Sequence, residues 1–194
     1  MKEINIIMCG VGGQGILLSS EIIALVAMES GYDVKKSEVH GMAQRGGSVV
    51  SHIRIGEKVY SPLIEKGKCD FLLSFEKAET LRWLHYLKKD NPVIIVNDVE
   101  IIPPLVSLGL DKYPENIEEK LKNITKNIYF VPAISIAKSL GEVITFNTLL
   151  LGSLSKFLPF KEEIWENVIK RSVPENKIEI NLIAFKKGRE ILKF

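Results

Sequence analysis

Residues 4–19 read INIIMCGVGGQGILLS, and the reading of this stretch decides the fold. Ile4–Met8 is an apolar run that meets a glycine cluster, the pattern of a parallel strand buried on both faces. Gly10, Gly12 and Gly15 have the spacing GxGxxG, directly after that strand. They directly precede the apolar segment Ile16–Ser30, which Gly31 closes as a helix C-cap. The first glycine permits a tight turn and the second lets backbone approach a phosphate. The third lets the helix pack on the sheet, while the helix N-terminus offers unpaired N–H groups to an anion. The stretch predicts an open α/β domain and makes Gly10, Gly12, Gly13, Gln14 and Gly15 candidate cofactor contacts.

Downstream, strand and helix patterns alternate. Asp33–Val39 reads as a second strand. Ser48–Ile55 alternates as a third, and Gly56-Glu57-Lys58 is predicted to turn it into Val59–Ser61, an inserted hairpin. Cys69–Phe75 and Pro92–Val96 are further strands around a helix from Lys77 to Lys89. Pro103-Pro104 marks a break, Pro114–Ile124 a short helix, and Ile128–Val131 a last strand. Helices over Ile134–Leu140, Thr145–Leu158, Lys161–Arg171 and from Lys177 onward follow. The expected fold is α/β and Rossmann-like: a doubly wound, mainly parallel sheet with an inserted hairpin and C-terminal helices. One domain is expected over residues 1–194.

Composition narrows the function classes. With 194 residues, 46% hydrophobic and 26% charged, the chain has the make-up of a water-soluble globular protein. A net charge of +2 gives no electrostatic case for nucleic acid or a membrane surface as partner. No apolar stretch is long enough to span a bilayer and no cleavage pattern follows Met1, so a cytoplasmic location is expected. The two cysteines, Cys9 and Cys69, form no CxxC pair, so no metal or cluster site is expected. Both fall in apolar strand patterns, where an inert buried thiol is the expectation.

A nicotinamide dinucleotide site also wants an acid at the end of the second strand. Asp33 and Glu38 bracket that place, but Lys35 and Lys36 lie between them and better suit an additional phosphate. On these residues alone the glycine loop is open to NAD, to another phosphate-bearing ligand, or to a packing role only.

A second loop, His40-Gly41-Met42-Ala43-Gln44-Arg45-Gly46-Gly47-Ser48, leaves the second strand. It should lie at the carboxyl edge of the sheet, near the glycine loop. His40, Gln44, Arg45 and Ser48 can contact an anion or a partner, and Gly46 and Gly47 permit close backbone approach. GVGGQGI at 10–16 together with SEVHGMAQRGGSVVSHIRIG at 37–56 resembles the gamma-type subunits of 2-oxoacid:ferredoxin oxidoreductases. Within that family the likeness is to the beta subunits of the indolepyruvate branch, and it extends to Asn147 and to EINLIAFKKG at 179–188.

The resemblance implies an accessory subunit of a thiamine-dependent enzyme that turns a 2-oxoacid, here an arylpyruvate, into acyl-CoA, carbon dioxide and reduced ferredoxin. It further implies thiamine diphosphate, Mg²⁺, [4Fe–4S] clusters and coenzyme A in the complex. The thiamine and the clusters would sit on a large catalytic subunit, with ferredoxin as electron acceptor. The sequence agrees on one point: it has no GDG segment and no cysteine quartet, so no cofactor is expected on this chain alone and no catalytic residue is assigned. Gly12, Gly13, Gln14, Lys35, Lys36 and Arg45 become candidate coenzyme A contacts. His40, Gln44, Arg45, Gly46, Gly47 and Ser48 are expected at the partner and active-site edge. A gamma subunit for pyruvate, 2-oxoglutarate or branched-chain 2-oxoacids is the alternative within the family. A free-standing dinucleotide-binding or sensing protein is the alternative outside it.

Overall fold

The computed structural model describes residues 3–40 and 47–192. Strand β1 (Ile4–Val11) leads through the glycine loop into helix α1 (Ile16–Glu29). Strands β2 (Asp33–His40) and β3 (Ser48–Gly56) follow, then β4 (Phe71–Ser74), α2 (Lys77–Trp83) and β5 (Val93–Asn97). Short helices α3 (Pro104–Ser107) and α4 (Ile117–Lys122) precede β6 (Ile128–Val131). Helices α5 (Ala133–Ser139), α6 (Phe146–Ser155), α7 (Glu162–Ser172) and α8 (Ile178–Ile191) close the chain.

The sheet order is β2-β3-β1-β4-β5-β6. β1, β4, β5 and β6 are parallel neighbours, whereas β3 runs antiparallel to both β1 and β2. Alternation along β1 explains the two cores. Ile6 and Met8 face the side covered by α1 and α5–α8, while Ile7 and Cys9 face Leu72, Ile94, Ile117 and Leu121 on the other. With α1 and α2 covering opposite faces, the sheet is doubly wound. The switch falls between β1 and β4, where ligands of such folds bind.

The expected hairpin is corrected. β3 does not turn back into Val59–Ser61; it inserts between β1 and β2 and forms its hairpin with β2. The segment after Gly56 is held by a side chain instead, because the Val59 N–H donates to Asp33 Oδ2 at 2.9 Å. That bond, followed by the Lys35 ammonium, holds the Asp33 carboxyl below its usual range. The helix expected to reach Lys89 ends earlier. α2 stops at Trp83, a 3₁₀ turn spans Leu84–Tyr86, and Cys69 only bridges Leu87.

His52, on β3, is a packed strand residue. Its Nδ1 accepts from the Ile64 N–H at 3.3 Å, and its ring meets Trp83 and Tyr86 edge-on. Burial pushes its pKa below the ordinary value. Both cysteine thiols are buried. Burial raises Cys69 to about 12 and pushes Cys9 up as well, so neither offers a thiolate. No helix among the described residues is long and apolar enough to cross a membrane.

Candidate functional site

The glycine loop is built around one buried side chain. Gln14 folds inward. Its Oε1 accepts from the Val11 N–H at 2.7 Å, and its Nε2 donates to the Phe75 carbonyl at 2.9 Å. The carboxamide thus ties the carboxyl end of β1 to that of β4 and fills the switch-point crevice. Gly10 makes room for it: a Cβ there would stand 2.5 Å from Gln14 Oε1 and 2.7 Å from Phe75 Cβ. At φ +99°, Gly13 adopts a conformation that L side chains rarely take, and faces open space. Gly15 caps α1, and the Asn147 amide from α6 lies against it in the place a Cβ would occupy. The first turn of α1 has neither a side-chain cap nor an acidic residue, an arrangement that leaves the positive end of its dipole open to an anion as far as the helix itself is concerned.

The candidate residues divide into two groups. Gly12 and Gly47 meet directly, with the Gly12 N–H donating to the Gly47 carbonyl at 2.8 Å. Val11 pairs with Ser48 in register, and His40 pairs with Val49. The stems of both loops therefore share one edge. Gly41 through Gly46, including Gln44, Arg45 and Gly46, and the side chain of His40 lie outside the described residues.

Lys35 and Lys36 do not join this group. They precede His40 on β2 by five and four residues, roughly 13–17 Å along a strand. Lys35 pairs with Asp33, and Lys36 with Glu21 and Glu38. Glu38 also accepts from Ser20 Oγ at 2.7 Å. The acids and lysines that sequence reading offered to a nucleotide are thus used within the chain.

Two acidic residues, Glu76 just after β4 and Glu79 on α2, shape the same edge. Glu76 caps α2, its Oε2 accepting from the Glu79 N–H at 2.8 Å. Glu79 accepts from Ser48 Oγ at 2.5 Å and from Arg82 Nε at 2.9 Å. This fixes the first residue of β3 against α2. A cleft of about 570 Å³ opens here, lined by Val11, Ser48, Glu76, Glu79, Arg82 and the segment from Ile101 to Pro114. Its volume suits a small ligand. Its chemistry does not suit a phosphate held inside it, because two buried carboxylates, Glu76 and Glu79, border it; Gly13 and the start of α1 lie outside its lining. Two other hollows are lined largely by charged residues, one beside this cleft at Lys77, Glu100 and Glu115 and one at the opposite edge at Glu3, Arg54, Lys66 and Lys89. Among the described residues no group of three or more His, Cys, Asp or Glu side chains could hold a metal ion.

Comparison with known proteins fits this geometry. A family described as pyruvate ferredoxin/flavodoxin oxidoreductase matches residues 5–191. Indolepyruvate oxidoreductase subunit IorB of Archaeoglobus fulgidus is 42% identical over 96% of the chain and 94% of its own length. The subunit of that name from Thermococcus kodakarensis is 40% identical over 100% of the chain and 98% of its own. A 2-oxoglutarate synthase subunit, KorC of Methanocaldococcus jannaschii, is 28% identical over 99% of the chain and 94% of its own length. In structure, the keto/oxoacid ferredoxin oxidoreductase gamma subunit from Geobacter sulfurreducens is similar with a TM-score of 0.71 at 26% identity. That match covers 96% of each chain.

Proposed function

Because the chain belongs to the pyruvate ferredoxin/flavodoxin oxidoreductase family and is an accessory subunit of a 2-oxoacid:ferredoxin oxidoreductase, we propose that its complex oxidises indolepyruvate and related arylpyruvates. The observation that carries this reading is the gap in similarity. Indolepyruvate oxidoreductase subunits match at 36–42% identity over nearly the whole chain, against 26–28% for 2-oxoglutarate subunits and 31% over 76% of the chain for a pyruvate/ketoisovalerate gamma subunit.

Within the complex, thiamine diphosphate with Mg²⁺ and [4Fe–4S] clusters belong to a large catalytic subunit, and ferredoxin takes the electrons. The clusters, which need four cysteine ligands, do not fit the present chain. Its two thiols are buried, and no metal-holding cluster occurs among the described residues. On the large subunit thiamine diphosphate would supply the chemistry of decarboxylation and the clusters that of electron transfer. What this chain adds is a shaped edge that docks on the large subunit beside its active site.

On that edge the N-terminus of α1, Gly13 and the second loop with Arg45 engage the phosphates of coenzyme A, the Gly12 N–H being given to Gly47. A first turn of α1 with neither a side-chain cap nor an acidic residue supports this, since a helix N-terminus favours an anion. Lys35 and Lys36 are left out, being paired and displaced along β2. Gln14 acts through the loop it braces, not by touching the ligand.

The test is steady-state kinetics of the assembled enzyme carrying Arg45→Ala or Gly13→Asp. Each variant should raise the KM for coenzyme A about tenfold, one charge-assisted contact being worth on the order of 1.5 kcal/mol. The KM for the 2-oxoacid should stay unchanged. Unaltered coenzyme A kinetics in both variants would sink the assignment.

A further inference from the structure

The segment after β5 has an unusual composition for a surface. IIPPLVSLGL, residues 101–110, contains no charged residue in a chain that is 26% charged. Leu105, Leu108 and Leu110 are 55%, 71% and 73% exposed, and Ile101 and Ile102 are exposed beside them. Five large apolar side chains exposed within ten residues are the composition of a contact site in a folded protein.

The segment is also held at both ends by one group. Glu76, 1% exposed, accepts from the Ile101 N–H at 3.2 Å and from the Tyr113 hydroxyl at 2.5 Å, both on Oε1. The Tyr113 oxygen in turn accepts from the Ala78 N–H at 3.2 Å. Lys77 bonds Asp98 beside the same base. The result is a loop with a pinned stem and an apolar body. Such a body has already met much of the ordering cost of binding.

We propose that residues 101–110 are the docking element for the large catalytic subunit, pre-organised by the Glu76–Tyr113 latch. The inference rests on the subunit role proposed above and adds the surface that performs it. The occupant follows from position. Ile101–Pro104 and Val106 line the cleft together with Val11, Ser48 and Glu79, so the segment continues the edge that carries the stems of both loops. Other exposed apolar side chains share that end of the sheet: Leu17 in the first turn of α1, Val39 near the end of β2, and Val143 and Ile144 ahead of α6. A partner covering the loops covers this surface with them.

The experiment uses the full chain coexpressed with its thiamine- and iron-containing large subunit. Assembly is measured by titration for the wild type, for Leu105→Asp/Leu108→Asp and for Tyr113→Phe. The double variant changes only exposed positions, so its melting temperature should match the wild type. Its assembly should weaken by about a hundredfold, tenfold for each lost anchor. Tyr113→Phe keeps every apolar side chain but cuts the latch, and should weaken assembly by about tenfold. Wild-type affinity in the double variant overturns the inference. So does a result in which it abolishes self-association of this chain and leaves the complex intact, since the occupant would then be a second copy. If the wild type forms no complex with such a subunit, the subunit reading itself fails; a complex indifferent to residues 101–110 defeats only the docking assignment.

Discussion

Gly188→Ala is expected to destabilise the chain by about 3 kcal/mol, lowering its melting temperature by roughly 6–12 °C. Gly188 on α8 lies against the Leu149 carbonyl of α6, and Gly152 on α6 lies against the Phe185 carbonyl of α8. The two helices meet backbone to backbone at a reciprocal pair of glycines. Ser153 Oγ adds a bond to the Gly188 carbonyl at 3.0 Å. Two effects oppose each other in this variant. Alanine improves helix propensity by about 1 kcal/mol over glycine. The new methyl would overlap backbone atoms, which no rotamer change can relieve, and so the clash wins. Moreover, α6 is buried along all ten of its residues, so moving it disturbs Phe146 against Phe75 and Asn147 against Gly15. Thermal unfolding decides the matter. A melting temperature at or above that of the wild type would show that the helices separate freely.

Gln14 carries the second large effect, and two variants separate its roles. Gln14→Leu keeps the volume but leaves the Val11 N–H without its partner, a loss of about 2 kcal/mol for a group away from water. The Phe75 carbonyl keeps its bond from Asn97 Nδ2 at 3.1 Å, so only one group is orphaned. Gln14→Glu should be worse at neutral pH. One carboxylate oxygen still serves Val11, but the other would face the Phe75 carbonyl in a buried site. The folded-state pKa of that glutamate is then raised above the unfolded value of about 4.3. Stability is present below that value and is lost as pH rises toward the folded pKa. Urea unfolding at pH 5 and pH 8 should therefore show Gln14→Glu less stable at the higher pH, with Gln14→Leu changing little between them. Equal stability of both variants with the wild type would remove the carboxamide bridge from the account.

Local chemistry in the glycine stretch was legible because strand, turn and helix signals there agree within sixteen residues. The elements after β5 also fall close to their expected bounds, since prolines and glycines punctuate them. Sheet order was not legible. An alternating strand such as Ser48–Gly56 shows that it is half apolar on each face, but not which neighbours it pairs with. Only the registers Ile6 to Ile53 and Lys36 to Ile53 reveal that it lies between β1 and β2. Its insertion leaves Lys35 and Lys36 on an edge strand, away from the loop they were expected to serve.

Within the site, spacing identified the glycines but not the inward fold of Gln14, a polar residue in a loop that would ordinarily face water. Glu76, just after a strand, reads either as a residue near the site edge or as a charge at a helix start, and Glu79 only as the latter. Their partners, Tyr113, Ile101 and Ser48, are distant in sequence. The run IIPPLVSLGL could be read as a break at its prolines, but an apolar run alone does not say whether it is buried. Asn147 is similar: nothing in its sequence neighbourhood ties it to Gly15, which α6 brings to it across the fold.

The central claim is that this chain works as the accessory subunit of an arylpyruvate-oxidising complex. It is tested most directly by purifying the native complex, assaying it for thiamine and iron, and comparing its turnover of indolepyruvate, pyruvate and 2-oxoglutarate. The chain should elute with a larger subunit that contains both thiamine diphosphate and iron. Indolepyruvate should be oxidised fastest, in a reaction that requires coenzyme A and ferredoxin. A chain that elutes alone, or in an assembly with neither thiamine nor iron, would contradict the account.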